Sequence, residues 1–144
     1  MPANVLHSIW RDERIVPIKL TQLTPMSLHL DERWATRDLP RVQSDGLMYP
    51  IAVYKTTVDW WNNKFTKWRP TNCRYVDPIE NEDGYVWAIK VGSNRYQCAQ
   101  YLGYDSIDAI MFENSDEAAK FGIWIRETNP LVSKRPYEGI WSYA

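Results

Sequence analysis

The sequence is short of metal and thiol ligands. Its 144 residues include 2 cysteines, Cys73 and Cys98, and 2 histidines, His7 and His29. Cysteines so far apart form neither a zinc spacing nor a C-x-x-C redox pair. Each histidine stands without a second ligand at metal spacing. No metal site is therefore expected. No disulfide framework is implied, which points to a reducing compartment. No apolar run reaches the roughly 18 residues of a membrane-spanning helix. The opening "MPANVLHSIWRDERIV" lacks the basic start and apolar core of a secretory signal. The expected location is the cytoplasm. Positive charge is not in excess either: 17 Lys and Arg stand against 18 Asp and Glu, a net charge of −1. A dedicated nucleic-acid binder carries surplus cations to displace counterions, so DNA contact would need a local basic patch.

Aromatic residues are plentiful, with 8 Trp and 9 Tyr. Buried rings enlarge the core of a small domain, and exposed ones form contact surfaces. The apolar fraction of 44% is that of a globular chain. The length favours one domain, 1–144.

Along the chain, "RIVPIKL" (Arg14–Leu20) alternates as a strand, demoted toward a sheet edge by Pro17. "TQLTPMSLHLDERW" reads as loop plus a helical turn. Asp38–Gly46 predicts a short helix with Asp38 as N-cap, Pro40 in its first turn and Gly46 as stop. Tyr49–Lys55 and Tyr85–Val91 predict strands. Between them, about 56–84 reads as an elaborated insertion that could contain a hairpin. Ser93–Leu102 predicts a helix with Tyr96, Ala99 and Leu102 on one face and Gly103 as stop. Ser106–Glu113 predicts a strand. Ser115–Glu127 predicts an amphipathic helix capped by Ser115, with a C-terminal helix-plus-tail region at about 115–144. The fold class is α+β, a mixed α/β arrangement. The unit Tyr85–Glu113 predicts a right-handed crossover between parallel strands.

The stretch "KVGSNRYQ" hands a strand to a helix through Gly92, Ser93, Asn94 and Arg95. The first N–H groups of a helix lack internal partners and attract anions. Glycine lets a phosphate approach the backbone, and an arginine offers a planar fork to its oxygens. A plain turn would use the same residues.

Two segments, "GLMYPIAVYK" and "VWAIKVGSNRYQCAQYLGYDSIDAIMFE", resemble the ParB/sulfiredoxin superfamily. The matching positions are Gly46, Leu47, Pro50, Ile51 and Val53, then Gly92, Arg95, Ala99, Leu102, Gly103, Ile107, Ala109 and Ile110. With the first strand, the likeness covers about two-thirds of the chain. It implies a small mixed sheet with flanking helices and a nucleotide-phosphate pocket at Gly92, Ser93, Asn94 and Arg95. ATP or CTP would be the ligand type, with Mg²⁺ as an accompanying ion. By family position, Arg41 and Asp45 would line that pocket. Sulfiredoxin-type members read Gly-Cys-His-Arg at the turn, and ParB-type members Gly-Glu-Arg-Arg. Here residue 93 is neither Cys nor Glu, so reduction of a sulfinic acid is not expected, and the ParB-type switch lacks its usual residues. About 31 residues follow Glu113, too few for a helix-turn-helix domain. Members of this reduced size resemble stand-alone phage or mobile-element proteins, which would act in a host cytoplasm.

Two functions follow. One is a nucleotide- or phosphate-binding domain; as an enzyme it would hydrolyse nucleotides or transfer phosphoryl groups. The other is a non-catalytic module holding DNA or a protein partner through the insertion and aromatic tail. For that module, Trp60, Trp61, Lys64, Lys67, Trp68 and Arg69 interleave rings for stacking with cations for phosphates. A hairpin with buried rings and a solvated basic face would read the same way. The acidic run Glu80–Gly84 reads as a Mg²⁺-attracting group or a solvated turn. Glu113 is a candidate neighbour of Gly92 if their strands run parallel.

Overall fold

The apolar runs form the centre of one sheet in a computed structural model of the protein, which describes residues 4–26, 28–29, 34–65, 73–74 and 76–128. In chain order the strands are β1 (Val5–Leu6), β2 (Val16–Lys19), β3 (Leu23–Pro25), β4 (Leu28–His29), β5 (Ile51–Thr56), β6 (Cys73–Arg74), β7 (Val86–Val91) and β8 (Ser106–Phe112). The α-helices are α1 (Leu39–Asp45), α2 (Val58–Phe65), α3 (Ser93–Tyr101) and α4 (Ser115–Thr128), and a π turn over Trp34–Asp38 leads into α1. The α+β class is as expected. The residues 129–144, where an aromatic tail was expected, lie outside the described residues. Among the described residues no helix is long and apolar enough to cross a membrane.

The expected crossover is not formed. β5 pairs antiparallel with β7 and parallel with β8. It therefore sits between them, and β7 and β8 run in opposite directions. Helix α3 carries the chain sideways instead of back along the sheet. Nine helical residues span about 13.5 Å, and strands two places apart lie roughly 9.6 Å from each other, so a short helix suffices. One consequence corrects the placement of Glu113. Phe112 is level with Tyr54, which faces Ala88, so Glu113 lies toward the opposite end of the sheet from Gly92.

β8 organises the rest. Ile107 pairs with both Leu6 and Ile18, and Ala109 with both Val16 and Ile51. β2 thus follows one edge of β8, while β1 and β5 succeed each other along the other. Among the described pairings, β2 bonds to β8 alone, the edge position that Pro17 requires. β3 closes the far side, parallel to β7, where a loop and helical turn were expected.

Both faces of the sheet are covered. Leu23, Ile51, Val53, Ile89 and Ile107 pack with Leu39 and Val42 of α1 and with Tyr96, Cys98 and Ala99 of α3. Tyr54, Val86, Ala88 and Ile110 pack with Trp61 and Phe65 of α2 and with Ala118, Phe121 and Ile125 of α4. Burial on two faces explains why β5 and β7 read as near-continuous apolar runs. Asn114, not Ser115, caps α4: its Oδ1 accepts the Glu117 N–H at 3.0 Å. The acidic run is a turn in which Asp83 accepts from Tyr85 N, Trp87 Nε1 and Lys55 Nζ at 3.0–3.1 Å.

Beside its strand pairing, the N-terminal segment is anchored by a buried carboxylate. Asp108 is 1% exposed. It accepts from Ser8 N at 2.9 Å, Arg11 Nη1 at 2.6 Å and His7 Nδ1 at 3.3 Å. Asp108→Ala is expected to destabilise the protein by about 1–3 kcal/mol, the range for lost bonds to a charged group. Arg11→Ala should remain under about 1 kcal/mol, because that side chain is largely solvated. Urea midpoints of the two variants check this ordering.

Candidate functional site

The Gly92–Arg95 turn joins the two halves of the sequence pattern. Gly92 adopts φ +117°, and a Cβ there would lie 2.5 Å from Ile51 Cγ2 and 2.9 Å from Arg95 Nη2. The glycine is thus fixed first by backbone conformation and close packing. Arg95 is fully buried. Its Nη1 donates to the Tyr49 carbonyl at 2.7 Å, and its guanidinium lies 4.2 Å from the Tyr49 ring centroid. Tyr49 and Ile51 belong to the first segment of the family-like pattern, and Gly92 and Arg95 to the second. One function of Arg95 is therefore to bind the start of β5 to the start of α3.

Ser93 and Asn94 behave differently. They are 1% and 0% exposed. Among the described residues Ser93 Oγ, Asn94 Oδ1 and Asn94 Nδ2 have no hydrogen-bond partner. No side chain caps α3, although Tyr96 N donates to the Gly92 carbonyl at 2.9 Å. Buried polar groups in native proteins are rarely left unpaired. All three atoms belong to the first two residues of α3, two of them can donate, and the helix terminus itself favours anions.

Around this turn, Asp38 is buried and receives Arg37 Nε at 2.9 Å and Nη2 at 3.1 Å. Cys98 is buried in the core, its Sγ 4.0 Å from the Trp34 carbonyl. Burial, and then the charge of Asp38, push the Cys98 thiol up to about 12, with Arg95 opposing. At pH 8 the thiolate fraction is then about 10⁻⁴, against roughly a quarter for an ordinary cysteine. In a Cys73→Ser background, iodoacetamide should leave Cys98 unmodified until denaturant is added; mass spectrometry of the intact protein checks this. Arg41 is half-buried and Asp45 exposed on α1, which packs beside α3.

The other expected contact residues separate. Trp61 is not available to a partner: it is fully buried against Phe65, with Nε1 donating to the Val76 carbonyl at 3.0 Å. Trp60 and Lys64 are exposed on α2, with Lys64 Nζ 5.2 Å from the Trp60 ring centroid. Helix α2 stands where a hairpin was considered, and it covers the sheet face opposite α3. Lys67, Trp68 and Arg69 lie outside the described residues. Sequence reasoning missed Asp38 as a buried acid, Tyr49 as the partner of Arg95, and Lys90. A lone lysine inside the apolar run "YVWAIKV" was the available signal for Lys90.

No protein-family model matches the chain, and no curated protein matches it.

Proposed function

We propose that the chain binds a phosphate-bearing ligand, a nucleotide of the ATP or CTP type, at the N-terminus of α3, as a small member of the ParB/sulfiredoxin superfamily. The observation that carries this reading is the set of buried, unpartnered atoms on Ser93 and Asn94 beside an uncapped helix terminus. Phosphate oxygens accept from hydroxyl, amide and backbone N–H groups, so such a ligand would satisfy donors that protein partners leave open. Mg²⁺ would accompany the ligand's phosphates; among the described residues no group of three His, Cys, Asp or Glu could hold a metal. Hydrolysis or phosphoryl transfer would require a proton acceptor, and the nearby buried acid, Asp38, is already paired with Arg37. Binding is therefore the core of the proposal. Because Ser93 and Asn94 are buried, a ligand reaches them only in an opened state, and the apparent affinity falls with the population of that state.

The test is Asn94→Leu. Replacing an unsatisfied buried amide by an apolar group of similar size should stabilise the free protein by about 1–2 kcal/mol. The same change should abolish the rise in melting temperature that millimolar ATP or CTP with Mg²⁺ produces in the wild type. A wild-type protein whose melting point no nucleotide moves would sink the reading.

A second reading, a non-catalytic module for DNA or a protein, rests on exposed Trp60 with Lys64 beside its ring. A salt-dependent gel shift lost in Trp60→Ala/Lys64→Ala but kept in Asn94→Leu would favour it.

A further inference from the structure

A second polar anomaly lies on the other face of the sheet. Lys90 interrupts β7, whose remaining residues are buried except for half-buried Trp87. It is itself half-buried. Its ammonium makes no hydrogen bond or ion pair with any described residue. A cavity of about 420 Å³ opens beside it, lined by Met26, Lys64, Phe65 and Lys90. Met26 and Phe65 belong to the core shared by α2 and α4, so this cavity and the α3 turn lie on different faces.

We propose that this cavity is a binding site for a small organic anion, a single carboxylate or phosphate on an apolar body, with Lys64 and Lys90 holding the anionic group and Met26 and Phe65 flanking the rest. The two lysines line one cavity and the charge of Lys64 acts on Lys90, so an anion bound there would offset their repulsion. The state of Lys90 agrees with this. Burial lowers its pKa, proximity of Lys64 lowers it further, and Asp116 partly opposes both. An anion bound beside Lys90 would add to the partial compensation that Asp116 gives. The volume falls in the range of small-molecule sites, which pair apolar walls with a few placed polar groups. Lys64 also lines a second cleft of about 290 Å³ with Tyr54, Trp60 and Asp116.

The experiment is calorimetric titration of the whole chain with phenyl phosphate, benzoate, inorganic phosphate and phenol. Phenyl phosphate or benzoate should bind at millimolar concentration or better, and the stronger of the two identifies the anionic group. Inorganic phosphate and phenol should each bind at least about tenfold more weakly, since each lacks one half of the recognition. Lys64→Met and Lys90→Met should each weaken the preferred ligand by about tenfold. Lys90→Met should also raise the melting temperature of the free protein. Lys64→Met alters an exposed position on α2, so the test survives even if the change in β7 disturbs the fold. Asn94→Leu should leave the affinity unchanged. The proposal is overturned if neither organic anion binds, if inorganic phosphate or phenol binds equally well, or if both lysine variants retain wild-type affinity. Loss of binding in Asn94→Leu would also overturn it, by assigning the ligand to α3.

Discussion

Gly92→Ala is expected to lower stability by about 2–6 kcal/mol, more than a typical surface change. Two causes add. At φ +117° a side chain strains the backbone by on the order of 1–3 kcal/mol. The new Cβ also enters the space of Ile51 and Arg95, and overpacking of this kind typically costs about 1–3 kcal/mol. Ile51 begins a strand bonded on both sides, so it cannot retreat without displacing the sheet centre. At roughly 4 °C per kcal/mol for a chain of this size, the melting temperature should fall by about 8–24 °C in a calorimetric scan. A fall under about 4 °C would mean that the turn relaxes freely and that Ile51 does not fix it.

Arg95→Ala should have a comparable effect, about 3–5 kcal/mol. It removes a bond to the Tyr49 carbonyl, a guanidinium stacked on the Tyr49 ring, and the volume of a fully buried side chain. The carbonyl it leaves lies at the start of β5, so the damage reaches the sheet. Loss of ligand binding in Arg95→Ala alone would therefore say little about ligand contact, and Asn94→Leu is the cleaner probe. The double variant Gly92→Ala/Arg95→Ala should be less destabilised than the sum of the two singles. The added Cβ meets Arg95 Nη2, so removing the arginine relieves part of the clash. Equilibrium urea unfolding of the four proteins in this cycle measures that coupling.

The elements legible in the sequence are those whose signal is local. β5, β7 and β8 announce themselves by apolar runs, α4 by its periodicity, and α1 by Pro40 near its start and Gly46 at its end. Strand directions were not legible. The insertion of β5 between β7 and β8 depends on pairings such as Ile51 with Ala109, and no local pattern near Gly92 reports them. The short strands β1 and β3 were missed because two or three residues carry no periodicity. Helix α2 was obscured because Trp60 and Trp61 look alike in sequence. Only the fold separates them, sending Trp61 to the core and leaving Trp60 at the surface. At the turn, Gly92 and Arg95 stood out as candidate ligand residues, and the structure gives both of them packing tasks. The unpartnered atoms belong to Ser93 and Asn94, whose residue types alone suggest only a cap.

The central position of β5 also makes the fold depend on contacts between residues far apart in the chain. β8 meets β1, β2 and β5 through the pairs Val5 with Ser106, Val16 with Ala109 and Ile51 with Ala109, all distant in sequence. Without residues 106–112, β2 loses its described strand partner, and among the described residues the backbone bonds left between the segments of β1 and β5 are those of Ile9 and Trp10 to Leu47 and Met48. Pairings of this range make folding slower than in a helical bundle, because loop closure precedes any reward. Helix α3 can coil early, but the contact of Gly92 with Ile51 cannot exist until β5 has entered the sheet. The turn therefore depends on a pairing distant in sequence, and residues 92–95 reach their packed form only where β5 lies beside β7.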